Sequence, residues 1–229
     1  MKKFIFTAVQ VLLLNLSVAA QPGRIITVSS GTRVLDYFPV DVRYRYTDFI
    51  DGQIHKKNGT LTPGKFNYNF LLGEMDFIQA RDTLSLINKK DLKYITVAQD
   101  TFYYDNGFIE QISDGGMIVG AKQYFKLKDV LRKGAFGTTN RASSIESYKP
   151  VSKGSYYDWI PNEDCVFQMT AEYYISKQRG SFLPFTRKNV IRMFPQHGNE
   201  IKEYFKSNKL NFSEAGDLLM LADFLKGLL

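Results

Sequence analysis

From Thr47 to Lys122 apolar and polar residues alternate in short runs broken by turn formers. Phe66, Tyr68 and Phe70 alternate with Asn67 and Asn69, and Leu84 and Leu86 with Thr83 and Ser85. A period of two sends the two sets to opposite faces of a strand. Four Asx-Gly pairs, Asp51-Gly52, Asn58-Gly59, Asn106-Gly107 and Asp114-Gly115, mark tight turns. The reason is steric: a type I′ turn needs positive φ at both central residues. Strands are therefore predicted near 53–57, 65–70, 74–79, 83–87, 93–98, 101–105, 107–112 and 116–126. Connections this short leave no room for crossover helices, so the pattern predicts an antiparallel meander. Ahead of it, Arg24–Val28, Tyr37–Val40 and the alternating Val42–Tyr46 predict two or three further strands.

The periodicity stops at about 133 and returns near 162. Between them, Gly134 to Ser144 is rich in turn formers, which predicts a long surface loop. Cys165 to Ile175 has strand character, and Gln178-Arg-Gly180 turns the chain into Phe182–Phe185. The tail then changes to a helical period. Thr186 can cap a helix carrying Val190, Ile191 and Phe194, and Pro195 stops it. Asn199 can cap a second, carrying Ile201, Tyr204 and Phe205. Ser213 starts a third, with the stripe Leu218, Leu221, Ala222, Leu225 and Leu229. Helices this short need a surface to lie on. The pattern as a whole predicts one α+β domain over 21–229. Its largely antiparallel sheet covers about 24–185 and its C-terminal group of short helices about 187–228, with the long loop at about 133–162.

Composition adds an address. Lys2 and Lys3 precede an apolar run to Leu16, and Val18-Ala19-Ala20 supplies small residues at the −3 and −1 positions of a signal-peptidase site. Residues 1–20 read as a signal peptide cleaved before Gln21, and the product as exported to the periplasm or beyond the cell. The apolar run falls short of the ~20 residues of a membrane span. The formal charge of +7 becomes +5 once Lys2 and Lys3 are removed, and the basic residues are interspersed with acids. That pattern favours solubility and mild attraction to polyanions. No nucleic-acid motif accompanies it. Cys165, the one cysteine, opens an apolar run and reads as a buried thiol.

Chemistry is sparsely signalled. His55 and His197 are the two histidines, and neither has a second ligand type at zinc spacing. No Gly-x-Ser-x-Gly, Walker A, His-Glu-x-x-His or calcium-loop pattern occurs, so no metal or cofactor is implied. Asn67, Asn69, Glu74 and Asp76 share one face of adjacent predicted strands. They form either a solvated sheet face or a polar site in which Glu74 and Asp76 act as acid and base. The Gly134–Ser144 loop, with its hydroxyls and Arg141, offers an anion nest. Tyr156, Tyr157 and Trp159 lie in irregular chain and form the best candidate binding surface.

Several short stretches also carry a family likeness: Phe49–Ile54, Phe66-Asn-Tyr-Asn69 with Glu74-Met75, Gly134–Gly137, and Leu210–Ser213 leading to Asp217-Leu218. In these the chain resembles a group of secreted β-rich proteins of Bacteroidota. The resemblance covers most of the mature chain and implies export, but it carries over no activity. The leading expectation is a non-catalytic envelope or extracellular protein that binds a protein partner or glycan through Tyr156, Tyr157, Trp159 and Arg141. The alternative is a carboxylate-based hydrolase acting on an envelope polymer or glycan.

Overall fold

The structure, a computed structural model, describes residues 23–133, 139–141, 158–177 and 181–229. Among these residues the strands are β1 (Ile25–Val28), β2 (Ile50–Lys56), β3 (Leu61–Asn69), β4 (Glu74–Gln79), β5 (Asp82–Ser85), β6 (Leu92–Val97), β7 (Asp100–Tyr104), β8 (Phe108–Asp114), β9 (Ile118–Lys133), β10 (Thr139–Arg141), β11 (Asp164–Ser176) and β12 (Leu183–Pro184). All pair antiparallel in one open sheet, ordered β1-β11-β9-β8-β7-β6-β2-β3-β4-β5, with β10 beside β9 and β12 beside β11. The helices are α1 (Val40–Arg43), α2 (Arg187–Met193), α3 (Gly198–Ser207) and α4 (Ala215–Lys226). The fold is α+β, as the hydrophobic pattern predicted.

The sheet is two meanders placed back to back rather than one. β2 to β5 run outward from β2, and the chain then returns to lay β6 on the other edge of β2. Asp51-Gly52 is correspondingly not a turn but lies inside β2. Gly52 faces Gly64 across the β2–β3 ladder, and the Phe66 ring covers both. A β-carbon at Gly64 would sit 2.8 Å from Cζ of that ring, and one at Gly52 would collide with the Thr96 carbonyl oxygen. These glycines serve close approach, not chain reversal. Asn106-Gly107 is a true turn, with φ of 49° and 128° at its two residues.

The strands predicted at Tyr37–Val40 and Val42–Tyr46 are instead a 3-10 turn (Val34–Tyr37) and α1. Pro39 holds φ at −61° and lacks an N–H for a ladder. Burial follows every fourth residue here, at Val34, Phe38 and Val42, so the apolar period is helical. Only Tyr44 bridges to the sheet, opposite Asn69.

Three apolar clusters lie along the long strands β9 and β11, the smallest packing Ile118 and Tyr174 with Tyr103, Ile109 and Phe182. Phe125, Leu127, Phe167 and Met169 join the core of the sheet with Phe38, Phe66, Tyr68 and Phe102. Further along the same strands, Val119 and Ile175 meet Val190, Phe194, Ile201, Phe205, Leu218, Leu221 and Leu225 of the helical layer. Thr186 caps α2 as predicted, its Oγ1 accepting from Asn189 N at 3.3 Å. Asn199 and Ser213 cap nothing: α3 starts at Gly198 and α4 at Ala215, both without a side-chain cap. Leu229, placed on the α4 stripe by spacing, is 65% exposed beyond the helix end.

Candidate functional site

The β3–β4 hairpin does gather the polar residues singled out in the sequence. Asn67 pairs with Asp76 and Asn69 with Glu74 across the ladder. The face is not solvated, however. Asn67 and Asn69 are fully buried and Asp76 is 1% exposed, because residues 43–48 fold across them. Asn67 Oδ1 accepts from Tyr46 N at 3.0 Å, while its Nδ2 donates to the Tyr46 and Asp48 carbonyls at 2.8 and 3.0 Å. Asn69 Oδ1 accepts from Leu71 N and Leu72 N, tying the hairpin turn. The Asp76 carboxylate accepts from Tyr44 OH at 3.0 Å, Asn69 Nδ2 at 2.7 Å and the Ser85 hydroxyl. Glu74 is ion-paired with Lys89, both mostly shielded. These groups satisfy one another, as buried polar groups must. Their arrangement braces the strap of residues 43–48.

Burial pushes the Asp76 carboxyl above its ordinary range; the bonds from Asn69, Ser85 and Tyr44 and the charge of Arg43 offset part of this. The folded chain thus takes up this proton at a higher pH than the unfolded chain, whose value is about 3.9. The resulting stabilisation is complete below the unfolded value and declines as pH rises through the folded one. In paired melts of wild type and Asp76→Asn, the wild type should therefore lose ground to the variant as pH rises above 4. A constant difference, or one of opposite slope, would refute the assignment.

The other sequence candidates are scattered. Tyr156 and Tyr157 lie outside the described residues. Arg141 belongs to β10, opposite Leu131 of β9. Trp159 is half-buried against the core, its ring edge-on to Phe167 at 6.4 Å, and its carbonyl accepts from Val34 N at 2.9 Å. The Cys165 thiol is buried, and burial with Glu163 and Asp164 nearby pushes it up to about 11, where it is inert as a nucleophile. His55 stacks on Tyr94 at 4.2 Å, and His197 lies 3.3 Å from Glu200.

A concavity lies elsewhere, in a notch of the sheet. β8 accompanies β9 only as far as Ala121. Beyond that point the Phe70 carbonyl accepts from Phe125 N, and the Gln123 carbonyl accepts from Tyr68 OH, each at 2.8 Å. A cleft of about 530 Å³ opens there, between the Leu71-Leu72-Gly73 turn and the Asn106-Gly107 turn. β9 contributes Lys122, Tyr124, Phe125, Lys126 and Leu127 to its lining, and β11 contributes Glu172 and Tyr174. No family model, curated protein or solved structure matches this chain. The cleft must therefore be read from its own chemistry.

Tyr124 OH donates to Glu172 Oε1 at 2.6 Å and Tyr174 OH to Oε2 at 3.3 Å. Burial, then the neighbouring carboxylate, raises both phenols, Tyr174 to about 12. Both hydroxyls keep their protons at neutral pH and hold the carboxylate in place. Lys122 Nζ donates to the Asp105 and Asn106 carbonyls at 2.6 and 3.4 Å and lies 4.4 Å from the centre of the Tyr174 ring. This one ammonium joins the β7–β8 turn to the cleft wall. Neither Glu74 nor Asp76 lines the cleft.

Sequence reasoning passed over this site because tyrosine in a strand reads as core. A usable signal was present: Lys122, Tyr124 and Lys126, like Glu172 and Tyr174, recur at a period of two on the polar side of apolar strands. Pairing Lys122 with Glu172, and so joining the two sets, needed the β9–β11 register.

Proposed function

We propose that this is an exported, non-catalytic binding protein of the cell envelope or extracellular space, whose ligand occupies the notch beside β9. The observation that carries the reading is the Tyr124–Glu172–Tyr174 group, lining a cleft of about 530 Å³. That volume falls in the range of small-ligand clefts, and amphipathic rings beside fixed polar groups are what such clefts use for orientation. The paired carboxylates of β4 are bonded within the fold and lie outside the cleft. The N-terminal residues support export. No helix among the described residues is long and apolar enough to cross a membrane.

The test joins address and site. Material recovered outside the cytoplasm should begin at Gln21. Immobilised wild type should retain a component of envelope or secreted extracts that a Tyr124→Ala/Tyr174→Ala variant with an intact melt fails to retain. The retained component should be released unchanged in mass. Equal retention by both proteins, or turnover of the component, overturns the proposal.

A further inference from the structure

We infer that Asn106 is a site of covalent modification, its side-chain amide being converted to a carboxylate through attack by the Gly107 backbone nitrogen. Asn58, which also precedes a glycine, is protected from the same reaction by the fold. Neither statement depends on the notch being a ligand site.

The reaction needs no partner but water. The Gly107 nitrogen gives up its proton and bonds to Cγ of Asn106. The Cγ–Nδ2 bond breaks, and the amide nitrogen leaves with that proton as ammonia. Water then opens the cyclic imide at either carbonyl, giving aspartate or an isoaspartate whose main chain is longer by a methylene. A glycine in the following position favours ring closure, because it has no β-carbon to obstruct the approach of its nitrogen. The chain has two such places, Asn58-Gly59 and Asn106-Gly107.

Both asparagines are exposed, so exposure does not separate them. Hydrogen bonding does. The Gly59 N–H donates to the Lys56 carbonyl at 3.0 Å, and Asn58 Oδ1 accepts from Thr60 N at 3.0 Å. Nucleophile and electrophile are each tied into the turn, and both bonds must break before the ring can close. At the other pair neither tie exists. Among the described residues the Gly107 N–H has no hydrogen-bond partner, and nothing donates to Asn106 Oδ1. The Asn106 side chain is held only by a long bond of 3.4 Å from its Nδ2 to Asp105 Oδ1. Asn106 and Gly107 also line the cleft, so the product adds a carboxylate to its wall. The isoaspartate form lengthens the turn between the paired residues Tyr104 and Phe108.

Peptide mapping by mass spectrometry reads both sites in the full chain incubated at mildly alkaline pH, folded and in urea. In the folded protein Asn106 should be converted about tenfold or more faster than Asn58, the factor that two turn bonds of ordinary strength impose. In urea, once circular dichroism shows the chain unfolded, the two rates should converge, since glycine follows both residues. Equal rates in the folded protein, a faster Asn58, or a ratio that persists in urea overturns the inference. So does an Asn106 that stays intact in the folded protein while the unfolded chain reacts.

Discussion

A stop codon at Asp217 is expected to yield an unfolded or aggregating chain. The lost segment contains Leu218, Leu221 and Leu225, each fully buried, and Ala222 at 5% exposure. They close the cluster formed by Val119 and Ile175 of the sheet with Val190, Phe194 and Ile201 of the neighbouring helices. Each buried leucine contributes roughly 1.5–3 kcal/mol, so three are worth about 5–9 kcal/mol. A domain has only about 5–15 kcal/mol in total. The truncation also strips cover from α2 and α3, which are too short to hold their shape alone. Removing Leu229 only should leave the melting curve nearly unchanged, since that side chain is largely exposed. Circular dichroism melts of the three proteins make the comparison. A truncated chain that melts like the full one would mean that α4 is not part of the core.

The second large effect is expected at Asn67. Replacing this fully buried side chain by alanine removes the acceptor for Tyr46 N and the donor for the Tyr46 and Asp48 carbonyls, beneath a strap whose Tyr46 is half-buried and whose Asp48 is exposed. A buried polar group left unpaired costs about 1–3 kcal/mol. Three such groups in one place make a loss of ~3 kcal/mol or more reasonable, less whatever the strap recovers by opening to solvent. Arg45 would be disturbed with it, because the strap carries that side chain to Glu110 at 3.1 Å. Asn58→Ala is the control. Asn58 sits in an exposed turn, where its Oδ1 accepts only from Thr60 N, and its loss should cost little. Urea titrations of both variants measure the difference. Equal midpoints would show that the strap does not depend on Asn67.

A period of two over much of the chain was enough to determine an antiparallel, strand-rich fold, and the change of period after Thr186 was enough to place helices behind it. Both signals are local, and burial on one side of a strand or helix imposes them whatever the neighbours are. Strand order was not local. β6 lies beside β2 rather than β5, a pairing that depends on long-range contacts and that no turn residue specifies. Gly52 shows the same limit at one residue: Asp-Gly is a turn signal, yet the Phe66 ring and the Thr96 carbonyl turned it into a point of close approach. Asn67, Asn69 and Asp76 were placed correctly on one face by the sequence alone. Whether that face met water or chain was decided by the strap, whose Tyr44 and Tyr46 reach it from more than twenty residues away. The notch was likewise invisible in one dimension. It exists because β8 ends before β9 does, and its Tyr124–Glu172 contact joins residues 48 positions apart. Periodicity records which side of an element is covered; only the folded chain decides what covers it and where it leaves a gap.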